Sequence, residues 1–161
     1  MMMIERIISG GQTGADRAAL DWAIAHQIPH GGWCPEGRTA EDGLIPSRYQ
    51  LNELPSGGYR QRTKANVRDS DATLIISIAK ELTGGSIATS KFAAELGKPW
   101  LHLSKESNWK VRLHEWVVQR PINTLNVAGP RASKEQSVGA FTVEVLDYLE
   151  QLQVFISKDK R

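Results

Sequence analysis

The chain has 161 residues, 40% of them hydrophobic, with 20 Lys and Arg against 18 Asp and Glu and a formal charge of +2. That length suits one domain spanning residues 1–161, and so even a charge balance argues against a cationic nucleic-acid module or an acidic disordered tail. Cys34 is the one cysteine, which excludes an internal disulfide framework and a cysteine-rich zinc site.

Short β-rich runs alternate with helical patterns along the chain. Residues 4–9 form an apolar run closed by Gly10 and Gly11 and read as a buried strand. Ala15, Ala19, Trp22 and Ala23 follow at helical spacing, in a segment that ends near Pro29. Residues 34–57 are rich in Pro, Gly and polar side chains, yet hold Leu44, Ile45, Tyr49 and Leu51. A packed loop beside a functional site is expected there. A helix over 59–70 would show Arg62, Asn66 and Asp69 on one face. It leads into residues 72–78, a β-branched and nearly continuous apolar run that predicts a strand covered on both faces.

Beyond Gly84 and Gly85, Ala88, Phe92 and Leu96 make an apolar stripe stopped by Gly97 and Pro99. Residues 100–103 read as a strand, and Trp109, Leu113, Trp116 and Val117 as the inner face of a helix ended by Pro121. A last strand is expected over 122–127. A final helix is expected to open with Ser133 and Gln136 in capping-box spacing and to turn Val138, Phe141, Val145, Leu149 and Leu152 inward. Residues 158–161 read as a polar, frayed tail. The pattern predicts an α/β fold: a doubly wound, mainly parallel sheet with helices on both faces. Charges at Glu5 and Arg6 interrupt any signal-peptide core, and no apolar stretch approaches the roughly 20 residues of a membrane span. A cytoplasmic protein without membrane contact is expected.

In such a sheet, ligands bind beyond the carboxyl ends of the strands, where helix N-termini point. Three strand-to-helix turns carry glycine there: Gly10, Gly11, Gln12, Thr13 and Gly14; Thr83, Gly84, Gly85 and Ser86; and Gly129 with Pro130 and Arg131. Each by itself reads as a tight turn. Three of them, two with hydroxyl residues beside the glycines, point to a site for an anion held by main-chain N–H groups. Asp16 is placed either to complement a helix dipole or to accept hydrogen bonds from a base, a pterin or a ribose. Asn66 and Asp69 are candidates for the same polar recognition, and Arg38, Arg68 and Arg131 for phosphate contacts.

No G-x-G-x-x-G, P-loop, H-E-x-x-H or G-x-S-x-G motif occurs. No catalytic residue and no metal ligand is assigned. Cys34 lacks an evident activating partner and reads as a bystander thiol. Trp33, between glycine and the long loop, is placed to stack on a ring.

Several strings together resemble the molybdenum-cofactor carrier protein family: Ile8-Ser9-Gly10-Gly11-Gln12-Thr13-Gly14-Ala15-Asp16, Gly31-Gly32-Trp33-Cys34-Pro35-Glu36-Gly37-Arg38, Asn66-Val67-Arg68-Asp69-Ser70-Asp71, Thr83-Gly84-Gly85 and Asn126-Val127-Ala128-Gly129-Pro130-Arg131. That family is similar to a circularly permuted branch of the Rossmann-like superfamily, which includes the Lonely-Guy phosphoribohydrolases, once labelled lysine decarboxylases, and the DNA-processing A proteins. The resemblance implies a Rossmann-like fold, a phosphate-bearing nucleotide-like ligand, molybdenum cofactor as the cargo and a homo-oligomer. One departure stands out. Where the phosphoribohydrolase motif P-G-G-x-G-T-x-x-E has its glutamate, this chain has Lys91. A cation cannot act as that carboxylate does, so a carrier is expected, with a phosphoribohydrolase-like enzyme as the alternative.

Overall fold

The computed structural model describes residues 3–156, and the expected tail at 158–161 lies outside them. In chain order the elements are β1 (Arg6–Ile8), α1 (Ala15–Ala25), β2 (His30–Gly31), β3 (Trp33–Pro35), β4 (Thr39–Ala40), β5 (Gly43–Leu44), β6 (Asn52–Leu54), α2 (Tyr59–Arg68), β7 (Ala72–Ile76), α3 (Gly84–Glu95), β8 (Trp100–Leu103), α4 (Trp109–Val118), β9 (Thr124–Ala128) and α5 (Val138–Gln151). Five strands form one sheet in the order β2-β1-β9-β7-β8, with every pairing parallel. Helices cover both faces, so this is a Rossmann-like α/β fold. Among the described residues no helix is long and apolar enough to cross a membrane.

The layers follow from the sequence pattern. All five residues of β7 are buried, as a continuous β-branched run requires. On one face α1, α4 and α5 close the main core, where Trp22, Trp109, Leu113, Phe141 and Val145 meet Ile7, Leu74 and Leu125. On the other face α2 packs against α3, with Val67, Phe92 and Ala93 between them.

Among the sheet strands β1, β2, β7, β8 and β9 come first to fifth along the chain, so the sheet reads 2-1-5-3-4. Counting the last strand as the first turns this into 3-2-1-4-5, the dinucleotide-fold order. The central strand is thus supplied by the end of the chain. The chain leaves β9 towards α5 on one face and leaves β7 towards α3 on the other. The crevice of the switch point opens between β9 and β7.

Three expectations are corrected. Residues 34–57 are packed as expected but are not without regular structure: β3 pairs with β6 in parallel, and β4 with β5 as a hairpin. Leu20, Cys34, Ile45, Tyr49 and Leu51 form a small core beneath them. The last helix opens at Val138 instead of Ser133, because the Ser133 hydroxyl donates to Glu41 Oε2 at 2.6 Å and does not cap. The strand expected over 122–127 starts at Thr124, where Asp71 Oδ2 accepts from the N–H groups of Asn123 (2.9 Å) and Thr124 (2.8 Å). The two-residue strand β2 is too short to show an alternation in sequence.

Candidate functional site

The first and last glycine turns are knit together. Ala15 N donates to the Pro130 carbonyl at 3.2 Å, and Ala132 N donates to Thr13 Oγ1 at 3.1 Å. Gly14 has φ +83°, and a Cβ there would run into the Pro130 carbonyl. The side chain is missing at Gly14 because two main chains touch. Likewise a Cβ at Gly129 would strike the Ile76 carbonyl and the Ala15 methyl. At Gly85, by contrast, nothing lies within 4 Å of the Cβ position. The protein's own packing therefore does not require that glycine, which leaves bare main chain at the start of α3.

Those turns, the α3 N-terminus and the first turn of α2 enclose one open cavity of about 540 Å³ at the carboxyl edge of the sheet. A space of that size suits a nucleotide- or pterin-sized molecule. Four basic side chains, Arg60, Arg62, Arg131 and Lys134, line it together with two acidic ones, Asp16 and Glu41. The first turn of α3 contains no acidic residue, so its N–H groups and helix dipole are not countered there.

Asp16 is only 2% exposed. Its Oδ2 accepts from Gln12 N at 3.3 Å and from Arg62 Nη1 at 3.2 Å. Burial pushes its carboxyl above the usual aspartate value, opposed first by the Arg62 charge. The Arg62 Nε is buried and has no hydrogen-bond partner among the described residues. Glu41, at the tip of the β4–β5 hairpin, accepts from Thr13 Oγ1 (2.8 Å), Ser133 N (3.0 Å) and Ser133 Oγ (2.6 Å). Hydrogen bonds from Ser133 and then Thr13 hold its carboxyl below the usual glutamate range. Glu135 meets the turn after β7 in the same way, accepting from Ile78 N (2.7 Å) and Ala79 N (3.0 Å).

Of the residues singled out in the sequence, Gln12, Asp16, Thr83, Gly84, Gly85, Ser86 and Arg131 line the cavity. Gly10, Gly11, Thr13 and Gly14 serve the turn itself: the place of a Cβ at Gly10 is taken by the Arg62 guanidinium, and that at Gly11 by Leu51 Cδ1 at 2.5 Å. Four others lie apart from the cavity. Arg38 donates to the carbonyls of Ile45, Pro46, Tyr49 and Leu51 and so orders the segment after β3. Asn66 clasps the main chain of Trp33, accepting from its N at 2.8 Å and donating to its O at 3.0 Å. Asp69 accepts from Trp33 Nε1 at 2.7 Å and from Arg68 Nε at 2.8 Å. Trp33, expected to stack on a ring, is thereby fastened to the end of α2.

Cys34 is fully buried, and burial pushes its thiol up, which suits a bystander. Lys91 is exposed on α3 and is not among the residues that line the cavity. Arg60, Glu41, Lys134 and Glu135 were not singled out. The clustered bases of 60–64 were the available signal for Arg60, whereas the two glutamates arrive by long-range packing.

Residues 7–150 match the model of the circularly permutated YpsA SLOG family. Among solved structures the chain is similar to one named "Putative molybdenum carrier protein" from Syntrophus aciditrophicus SB. The two are 49% identical, with a TM-score of 0.86 over 91% of this chain and 95% of that one. No curated protein matches.

Proposed function

The chain belongs to the circularly permutated YpsA SLOG family, and on that premise we propose that it binds and carries a phosphate-bearing, nucleotide-like or pterin molecule at the carboxyl edge of its sheet. The observation that carries this reading is the bare main chain at Gly85, facing open space beside four basic side chains in one cavity. The phosphate would rest on the N–H groups that open α3, next to Ser86, with Arg131 and Lys134 close by. Asp16 and Gln12 would take the polar edge of the ring. The name of the Syntrophus protein supports molybdenum cofactor as the cargo, because a pterin phosphate has both an anion and a hydrogen-bonding ring. Among the described residues no group of three or more His, Cys, Asp or Glu gathers to hold a metal ion. The residues present are suited to the phosphate and the ring of such a cargo.

Native mass spectrometry of the protein purified from its own host tests this. A phosphate-bearing adduct is expected, and Gly85→Val should lose it while remaining folded. The same adduct on both proteins would overturn the site. The spectrum also counts subunits, which tests the homo-oligomer.

A second reading is a hydrolase of the phosphoribohydrolase kind, favoured by Asp16: a buried carboxyl with a raised pKa in a cavity is a common form of acid–base group. Release of free base from nucleoside monophosphates, abolished by Asp16→Ala, would replace the carrier with that enzyme. Lys91, in the position of the relatives' glutamate, weighs against it.

A further inference from the structure

The seam between the turns after β1 and β9 has the donor set of an anion site: a main-chain N–H and a hydroxyl from Ser133, a second hydroxyl from Thr13, and the Arg131 guanidinium, with Nε 3.5 Å from the Glu41 carboxylate. Three hydrogen bonds and one ion pair converging on a single group would suit a phosphate or carboxylate ligand. In this structure the protein fills the place itself. Glu41 arrives from the tip of the β4–β5 hairpin, whose strands are only two residues long.

The hairpin tip is held down by polar contacts. Glu41 N donates to Gln12 Oε1 at 3.0 Å, and Arg17 grips the Asp42 carboxylate with both Nη atoms. Apolar anchoring at the tip is slight: Leu44 is 74% exposed, and a Cβ at Gly43 would meet nothing within 4 Å. Ala40 at the base of the hairpin packs against the small core of Leu20, Ile45 and Tyr49, so it is the tip, residues 41–43, that lifts, at the expense of exposed hydrogen bonds. Glu41 also lines the cavity, so lifting it would widen the cavity and remove one of its two negative charges.

We propose that Glu41 is a tethered substitute for an anionic group of the ligand, so that a phosphate-bearing molecule enters this seam by displacing the Glu41 carboxylate and raising the tip of the β4–β5 hairpin. This rests on the ligand cavity proposed above and adds to it a second anion position beside the one at the start of α3, at Thr13, Ser133 and Arg131, together with a gate. A tethered carboxylate competes at a high effective concentration. The apparent dissociation constant is then the intrinsic one divided by the open fraction. A phosphate prevails because it has more charge and three acceptor oxygens.

The test is calorimetric titration of AMP, GMP and inorganic pyrophosphate into wild type, Glu41→Gln and Asp42→Asn. Amide exchange of residues 40–43 is followed in the wild type with and without the probe that binds. At least one probe should bind the wild type, and about tenfold tighter binding is expected in Glu41→Gln. Exchange at the Glu41 amide should rise on binding, as its bond to Gln12 breaks. Asp42→Asn loosens the hairpin without altering the anion site and should tighten binding in the same direction, so it decides the matter if Glu41→Gln misfolds. Unchanged or weaker binding in a folded Glu41→Gln, with the wild type binding normally, overturns the gate and leaves the carrier intact. If no probe binds any of the three proteins, the phosphate site itself falls, and the gate with it.

Discussion

At Gly129 a Cβ would meet the carbonyl of Ile76, while at Gly85 it would meet nothing, although both glycines line the same cavity. Their substitutions should therefore diverge. Gly129→Ala forces two main chains apart and should cost about 1–3 kcal/mol in denaturant unfolding. Gly85→Ala should gain up to about 1 kcal/mol, since alanine restricts the unfolded chain and favours a helical turn. The sequence gives both residues the same letter. It cannot show which glycine touches its own protein, because that depends on where another turn comes to rest. Asp16 is a parallel case. Its folded carboxyl is raised by burial, so the folded state binds a proton more tightly than the unfolded chain and loses stability as pH rises from the ordinary aspartate value through the raised one. Asp16→Asn lacks that titration. Its stability relative to wild type should climb across this pH window and be constant below it, whatever fixed offset the lost Arg62 bond adds. Chemical denaturation at a series of pH values reads this directly, and a flat difference would contradict the raised carboxyl.

Among the elements, those set by local pattern were legible. Alternation, helical spacing and glycine–proline stops located α1, α3, α4, β7 and β8 within a few residues. The segment from Cys34 to Gly57 was not, since its order comes from one side chain reaching four carbonyls. Arg38 has φ +53° and donates to Ile45, Pro46, Tyr49 and Leu51. Read as sequence, it looked like a phosphate ligand, because the same planar fork serves either purpose. Arg38→Met should cost about 2 kcal/mol or more by leaving these carbonyls poorly satisfied. Chymotrypsin should then cut at Tyr49, which is 1% exposed in the folded protein. Asn66 was misplaced for a similar reason: a buried amide suits a base edge and a main-chain clasp equally well. Loss of the Trp33 clasp in Asn66→Ala should lower stability by about 1–3 kcal/mol and leave probe affinity unchanged.

At the scale of the molecule, strand order is what joins the three turns. Alternating strands and helices sufficed to read a parallel sheet, but the placement of β9 between β1 and β7 emerges only in the folded topology. Ile4 bridges Phe155, with Ile4 N 2.7 Å from the Val154 carbonyl and Ile156 N 3.0 Å from that of Ile4. A flexible linker from the stretch after Ile156 to the stretch before Ile4, with a new opening between Val118 and Thr124, would restore the order 3-2-1-4-5 in chain sequence. That permutant should fold to the same circular dichroism spectrum and keep probe affinity, because no strand neighbour changes.

The seam where Ala15 and Ala132 reach across to the other turn's oxygens has a consequence for how the protein is made. The turn at 10–14 is synthesised well before the turn at 129–133 that completes the wall. Until Thr124–Ala128 emerges, β1 and β7 lack the neighbour that lies between them, and the cavity lacks the wall made by Gly129, Pro130 and Arg131. The cavity therefore cannot form before the central strand has been made, and a product truncated ahead of Thr124 would lack the strand that joins β1 to β7.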